Sequence, residues 1–314
     1  MKTKILVTGG SGYLGSHLCK KLYQMGYEVY ILDSCEPKHT YYKHYYLIDI
    51  RSGDIINAFN GNDYEFVFHL AGRIEVGESQ KDPIEFWHVN VGGTVNLLNA
   101  MKKLSKAKLI FSSTAGVYWS VGLPIPEYEC TTNNSVYSNT KIASETAIQD
   151  SKIPYVIFRY FNLAGADPDG EMGETHDPET HMIPCMFQNI DNFKIYGNDY
   201  RTPDGTCIRD YVHVCDVVDA HISAMQYLND GHPPEIINLG SGKGHSILDV
   251  IHRFEDLFAM KVNYDFSHRR SGDPDVLIAD IGLAKELLDY TPKHNIDSII
   301  KSAYEWYKKH HPKH

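Results

Sequence analysis

Thr8-Gly9-Gly10-Ser11-Gly12-Tyr13-Leu14-Gly15 follows a short apolar run, Ile5 to Val7, and opens a segment with apolar residues at helical spacing, Gly12 to Met25. This strand, glycine turn and helix decide the fold. Glycines allow a tight turn and close backbone approach, so that the free N–H groups of the helix N-terminus can meet a pyrophosphate. The stretch satisfies both G-x-G-x-x-G and G-x-x-G-x-x-G spacing. Eighteen residues after Gly15, Asp33 closes a second apolar run, Val29 to Leu32, where a carboxylate accepts hydrogen bonds from an adenosine ribose. An acid there repels a 2′-phosphate, which favours NAD over NADP.

Outward from the turn, short β-rich runs continue at Tyr45 to Ile48, Phe66 to Leu70, Lys108 to Phe111 and Tyr155 to Phe158. Between them, Pro83 to Leu104 and Ser135 to Asp150 carry apolar residues at helical spacing. That alternation predicts βαβ units: a doubly wound α/β fold with a parallel sheet, a Rossmann domain over residues 1–161. After Tyr160 the texture changes to Gly-, Pro- and Asp-rich loops, such as Gly165 to Gly173 and Gly197 to Gly205. A smaller α/β substrate domain is expected over 162–314, with 212–230 returning to the first.

Composition narrows the function. Forty acidic against thirty basic side chains give a formal charge of -10, which opposes capture of nucleic acid or an anionic membrane. A phosphate-bearing partner must therefore meet a local positive site. Six cysteines at irregular spacings, with no C-x-x-C pair, read as reduced thiols of a cytoplasmic protein. No signal peptide and no membrane span is expected. The 17 histidines are scattered and none falls in a zincin-type H-E-x-x-H motif, so no metal is expected.

Tyr137-Ser138-Asn139-Thr140-Lys141 places Tyr137 and Lys141 on one face of a helix. Phe111-Ser112-Ser113-Thr114-Ala115 ends a strand at the carboxyl edge of the sheet, where open α/β folds gather ligands. Hydride removal from a carbinol also requires loss of its O–H proton, and a phenol with an ordinary pKa of about 10 is a poor base. Positive charge from Lys141 and an oxidised nicotinamide, within about 6 Å, would each favour phenolate by roughly one to three pKa units. Thr114 would share the substrate hydroxyl.

These residues resemble the extended short-chain dehydrogenase/reductases, the NAD-dependent epimerase/dehydratase family, and within it the UDP-glucose 4-epimerases. The likeness includes Phe68-His69-Leu70-Ala71-Gly72, Val76-Gly77-Glu78-Ser79, Asn90-Val91-Gly92-Gly93-Thr94 and Arg159-Tyr160-Phe161-Asn162. It is most specific from Gly197-Asn198-Asp199-Tyr200 through Asp204-Gly205-Thr206 to Arg209-Asp210-Tyr211-Val212-His213-Val214, and continues in Arg269-Arg270-Ser271-Gly272-Asp273. The resemblance implies an NAD site of Gly9, Gly12, Tyr13, Leu14, Gly15, Asp33, Asp49, Ile50, Leu70, Ala71, Gly72, Asn90, Tyr137, Lys141 and Phe161. It implies sugar-nucleotide contacts from Thr114, Tyr137, Asn162, Tyr196, Arg209, Tyr211, Arg270 and Asp273. Leu277 would limit the room beside carbon 2 of the sugar.

Arg209 and Arg270 suit a diphosphate because guanidinium offers planar, charge-assisted forks, although pairing with Asp210 or Asp273 is the alternative. The implied activity is 4-epimerisation of a UDP-sugar through a 4-keto sugar, with Thr114, Tyr137 and Lys141 as catalytic residues, by a homodimer. Dehydratase and decarboxylase relatives place an acid beside the strand-end Ser or Thr, and here Ala115 and Gly116 follow Thr114. A non-catalytic NAD sensor is the other rival, disfavoured by the intact trio. His181 and Ile74 depart from the family pattern, at positions of an asparagine and a lysine.

Overall fold

A computed structural model describes residues 2–118, 124–131, 135–270 and 273–311. Ser271 and Gly272 of the family-like motif lie outside them. The strands are β1 (Lys4–Thr8), β2 (Glu28–Asp33), β3 (His44–Leu47), β4 (Tyr64–His69), β5 (Lys108–Thr114), β6 (Tyr155–Tyr160), β7 (Asn162–Ala164), β8 (Phe193–Tyr196), β9 (Ile208–His213), β10 (Glu235–Leu239), β11 (Gly244–Ser246), β12 (Tyr264–Ser267) and β13 (Val276–Leu277). Seven of them form one sheet in the order β10-β6-β5-β4-β1-β2-β3. The pairs β3–β2, β2–β1, β1–β4 and β4–β5 are parallel. This is the doubly wound dinucleotide-fold order, with its reversal between β1 and β4.

The chain forms two compact units. The first comprises Met1–Val117, Thr131–Arg159 and Val218–Ile237. Its strands are apolar almost throughout, as a sheet covered on both faces requires: Ile5, Leu6, Val7, Phe66, Val67, Phe68, Leu109 and Ile110 are fully buried. Leu97, Leu98 and Met101 from the helix Gly93–Leu104 and Ile148 from Val136–Ser151 pack into the same core as Leu6, Val67 and Leu109. The expected helix over Pro83 to Leu104 is broken into α-helix Pro83–Phe86, a π-helical turn Trp87–Gly92 and α-helix Gly93–Leu104. Hydrophobic spacing does not distinguish such a π-turn, and π-turns often sit at functional positions.

The second unit comprises Tyr118–Cys130, Tyr160–Val217 and Asn238–His314. Here β9 pairs with β11, β13 and β7, and β8 pairs in parallel with β12. The helices Met182–Gln188, Ile247–Phe258 and Ile296–His310 share a core in which the rings of Phe187, Phe254 and Tyr304 lie 4.9–5.4 Å apart. The returning segment runs over 218–237, later than the expected 212–230. Residues 118–130 belong to the second unit because Ile125 pairs with Ile278 and Asp280 through its backbone, and Glu127 accepts the Asn238 N–H. No helix among the described residues is long and apolar enough to cross a membrane.

Within the first unit, Glu145 receives Arg159 in a bidentate pair at 2.7 and 3.1 Å, plus the Ser113 hydroxyl. Both charged side chains are almost fully buried, at 5 and 6% exposure. Removing one partner strands the other charge, so Arg159→Ala should cost about 3–5 kcal/mol of stability. Urea unfolding checks this, and an unchanged midpoint contradicts it.

Candidate active site

The glycine turn is built by close contacts. Gly9 has φ +76°, and a Cβ there would meet the Ala71 nitrogen at 2.6 Å; a Cβ on Gly15 would lie 2.0 Å from the Gly9 carbonyl oxygen. Gly12 occupies the N-cap of the helix Tyr13–Gln24 without a side-chain cap, and the first turn carries no acid. The helix therefore starts with donors and no side chain across them. Tyr13 is buried, its ring edge-on to His17, and Leu14 is half-buried. Asp33 closes β2 and accepts the Ser11 and Cys35 N–H groups at 2.9 and 3.1 Å, one on each oxygen. Each oxygen keeps a lone pair for a further donor.

Three other expected cofactor residues are committed to the protein itself. The two oxygens of Asp49 receive Arg51, whose other nitrogen reaches Glu85, and the Arg51 hydrogen bonds hold the Asp49 carboxyl below its ordinary range. Ile50 is buried against Gly93. Asn90 clips the loop after β4 to the helix Val136–Ser151: its amide oxygen accepts the Arg73 N–H at 2.8 Å, and its nitrogen donates to the Arg73 carbonyl and the Thr140 hydroxyl, each at 3.0 Å. Leu70, Ala71 and Gly72 form the start of that loop. Leu70 donates to the Thr8 carbonyl, and a Cβ on Gly72 would meet the Asn90 amide at 3.0 Å.

Thr114, Tyr137 and Lys141 come together as expected. Ser135 caps the helix that carries Tyr137 and Lys141 by accepting the Ser138 N–H, and Ser79 accepts the N–H of Tyr137 at 3.2 Å. The Lys141 amine donates to the Ser112 carbonyl at 2.8 Å, 4.9 Å from the Phe111 ring centroid and 6.0 Å from that of Tyr137. Thr114 hydrogen-bonds Tyr137 and accepts the Gly116 N–H at 3.1 Å. Burial lowers the Lys141 pKa to about 8 against the pull of Glu145. Burial also raises the Tyr137 pKa to about 12, with Thr114 opposing and Glu75 assisting. This differs from the expected lowering by Lys141: desolvation of the phenolate is the largest influence on Tyr137. The nearby His69, bonded to Thr8 and Thr94, is held neutral by burial, with a pKa of about 3.

In the second unit, β9 organises the candidate substrate residues. Arg209 and Tyr211 share one face of the strand. The register sets Leu277 beside Arg209 and Asn162 beside Tyr211. Arg209 pairs with Asp273 at 3.0 Å and donates to the Ile208 and Pro274 carbonyls. Both residues were expected as ligand contacts; the structure makes them partners, which fixes the guanidinium plane and leaves it further donors. The Tyr211 hydroxyl is buried without a hydrogen-bond partner. Arg270 stacks on Tyr196 with its guanidinium 4.3 Å from the ring centroid. Phe161 belongs to this unit, buried, its N–H on the Leu239 carbonyl.

Asp210, quoted in the motif but given no site role, proves to be a buried anchor. It accepts Ser241 N–H and hydroxyl, Gly242 N–H and Ala279 N–H at 2.6–3.1 Å. The alternation of β9 carries the only sequence signal for this, since it sends Asp210 to the face opposite Arg209 and Tyr211.

The family model of the NAD dependent epimerase/dehydratase family matches residues 5–240. The chain belongs to this family. A UDP-glucose 4-epimerase of Halalkalibacterium halodurans is 38% identical over 98% of this chain and 96% of its own. Among solved structures, a Stenotrophomonas maltophila UDP-glucose 4-epimerase with bound NAD and formylated UDP-arabinopyranose superposes with TM-score 0.93 at 32% identity, covering 99% of this chain and 100% of that one. The Bifidobacterium longum UDP-glucose 4-epimerase with NAD+ and UDP gives TM-score 0.90 at 32% identity, covering 99% of each chain. As a member of the epimerase/dehydratase family, the chain carries Thr114, Tyr137 and Lys141 on the unit that also carries the glycine turn.

With a pKa near 12, Tyr137 should stay protonated past an ordinary phenol's pKa of about 10 in nucleotide-free protein. The tyrosinate absorbance difference between wild type and Tyr137→Phe measures it. Ionisation of Tyr137 near pH 7 in that form contradicts the assignment.

Proposed function

We propose that the protein is an NAD-dependent UDP-sugar 4-epimerase that interconverts UDP-galactose and UDP-glucose. The observation that carries this reading is the buried Tyr137 and Lys141 with the half-buried Thr114 beside them, in the unit that holds the glycine turn. The turn fits a dinucleotide: a side chain at Gly15 would fill the cradle, and the first helical turn carries no acid to repel phosphate. Gly9, Gly12, Tyr13, Leu14 and Gly15 would hold the pyrophosphate side, Asp33 a ribose, and Asp49, Ile50, Leu70, Ala71, Gly72, Asn90 and Phe161 would line the remainder. NAD, when bound, supplies the acceptor and donor of hydride at carbon 4.

The chain supplies the proton chemistry. Tyr137 would take the proton of the 4-hydroxyl and later return it to the 4-keto oxygen, after the sugar has turned its other face to the hydride donor. Thr114 would orient that hydroxyl: its oxygen accepts the Gly116 N–H, and its hydroxyl, bonded to Tyr137, would share the substrate oxygen with it. Lys141 brings a positive charge that burial makes costly and therefore strongly felt. Once a cationic nicotinamide is bound, two positive charges favour phenolate over the phenol that burial alone maintains. Ala115 and Gly116 put no acid beside Thr114, which suits a reaction that ends with hydride return rather than elimination.

Arg209 and Arg270 would hold the diphosphate, with Asp273 setting the Arg209 plane, and Tyr211, Asn162 and Tyr196 completing the nucleotide contacts. An unpartnered buried Tyr211 hydroxyl is what a ligand's oxygen would satisfy. Leu277, between tyrosine and glycine in bulk, would set the room for an N-acetyl group. Two copies would associate through the segments Pro83–Leu104 and Val136–Ser151, where Ile84, Trp87 and Val95 are exposed at 75, 40 and 42%.

Purified protein given UDP-galactose, with no NAD added, should reach an epimer mixture resolvable by chromatography. Tyr137→Phe should lower kcat by roughly 10²–10⁴ at similar KM. Failure to convert UDP-galactose even with NAD supplied would overturn the reading.

A further inference from the structure

Glu174-Thr175-His176-Asp177-Pro178-Glu179-Thr180-His181 repeats the triplet Glu-Thr-His at a five-residue offset. Both copies fold the same way. Glu174 Oε1 accepts the Thr175 and His176 N–H groups at 2.8 and 3.0 Å and lies 2.5 Å from His176 Nδ1. Glu179 Oε1 accepts the Thr180 and His181 N–H groups, each at 2.6 Å, and lies 2.8 Å from His181 Nδ1. The two copies face each other: the imidazole centroids are 5.5 Å apart, and His181 Nδ1 is 3.8 Å from Glu174 Oε2. One donor atom from each of the four residues lies within 4.8 Å of the others.

We propose that this cluster binds one divalent transition-metal ion of the zinc class, through the imidazoles of His176 and His181 and a carboxylate oxygen each of Glu174 and Glu179. Two imidazole nitrogens and two carboxylates form a set suited to zinc, whereas calcium and magnesium prefer all-oxygen shells. Tetrahedral zinc with bonds of about 2.0–2.2 Å separates its ligand atoms by roughly 3.4 Å. Closing the cluster therefore needs shifts on the order of an ångström.

The surroundings favour an ion over two separate His–Glu pairs. The carboxylates are enclosed, at 11 and 3% side-chain exposure, while the imidazoles at 30 and 38% form an open rim through which an ion can enter. Two enclosed carboxylates within one small cluster concentrate negative charge where a divalent ion would sit. The four backbone N–H bonds to the carboxylates act as the outer support that orients metal ligands. Four protein ligands leave no open position, so the ion is structural: it fastens the loop that leads into the helix Met182–Gln188. Binding releases whatever protons the imidazoles carry and changes no oxidation state. Metal binding is read without epimerase turnover, so this proposal and the proposed function fail independently.

The test uses the full chain, stripped with a chelator and dialysed, then titrated with Zn²⁺ against a chromophoric indicator and with Co²⁺ by visible absorption. One equivalent of Zn²⁺ and an intense tetrahedral Co²⁺ band are expected. Glu179→Gln and His176→Ala should each weaken Zn²⁺ binding by at least about tenfold. A chain with His310, His311 and His314 changed to asparagine should bind as wild type. Far-UV circular dichroism identifies a misfolded variant, and Glu174→Gln then takes its place. Absence of one-equivalent binding, binding that persists in the cluster variants, or loss in the tail variant overturns the proposal.

Discussion

The Gly9 carbonyl lies where a side chain on Gly15 would begin, 2.0 Å from a Cβ built there, and the first unit depends on that contact. It lets the helix Tyr13–Gln24 start immediately after β1, with its first amides uncapped by any side chain. Asp33 then fastens the turn to the end of β2 through Ser11, and Leu70 fastens the end of β4 to β1. The carboxyl ends of β1, β2 and β4 thus meet at the switch in strand order, where open α/β sheets bind ligands. A methyl group at residue 15 would displace all of this at once.

Burial governs the chemistry as the glycine contact governs the architecture. Tyr137 and Lys141 lie four residues apart on a helix that Asn90 ties to the loop after β4. Enclosure opposes charge on both, holding the phenol neutral and bringing the amine to within reach of neutrality. The resting protein accordingly keeps its base protonated. With NAD held by the glycine turn, the added positive charge of its nicotinamide would favour the Tyr137 phenolate, so that the tyrosine would serve as a base only while a hydride acceptor is bound. Coupling the two events protects the protein from carrying an idle buried phenolate.

Much of this was legible in the sequence because it is local. The glycine turn, the first six strands and the Tyr137–Lys141 helix follow from spacing within one or two elements. Contacts between distant segments were not legible. Residues 118–130 join the second unit because Ile125 bonds backbone some 150 positions later, at Ile278 and Asp280. Arg209 and Asp273 were recognisable as a charged pair or as ligand contacts, and register with β13 was needed to show them bonded to each other. Asn90 and Asp49 resemble cofactor contacts by motif, yet in the fold their polar atoms serve the protein first. The Glu-Thr-His repeat was visible as a string, but it lies on a loop, and a search for histidines at helical spacing passes over it.

If Tyr137 moves only the hydroxyl proton, the hydrogen on carbon 4 leaves and returns as hydride. UDP-galactose deuterated at carbon 4, converted in ordinary water, tests it directly by mass spectrometry of the UDP-glucose formed. The product is expected to keep its deuterium at carbon 4. Loss of deuterium to solvent during epimerisation would mean that the carbon itself is deprotonated, and would contradict it.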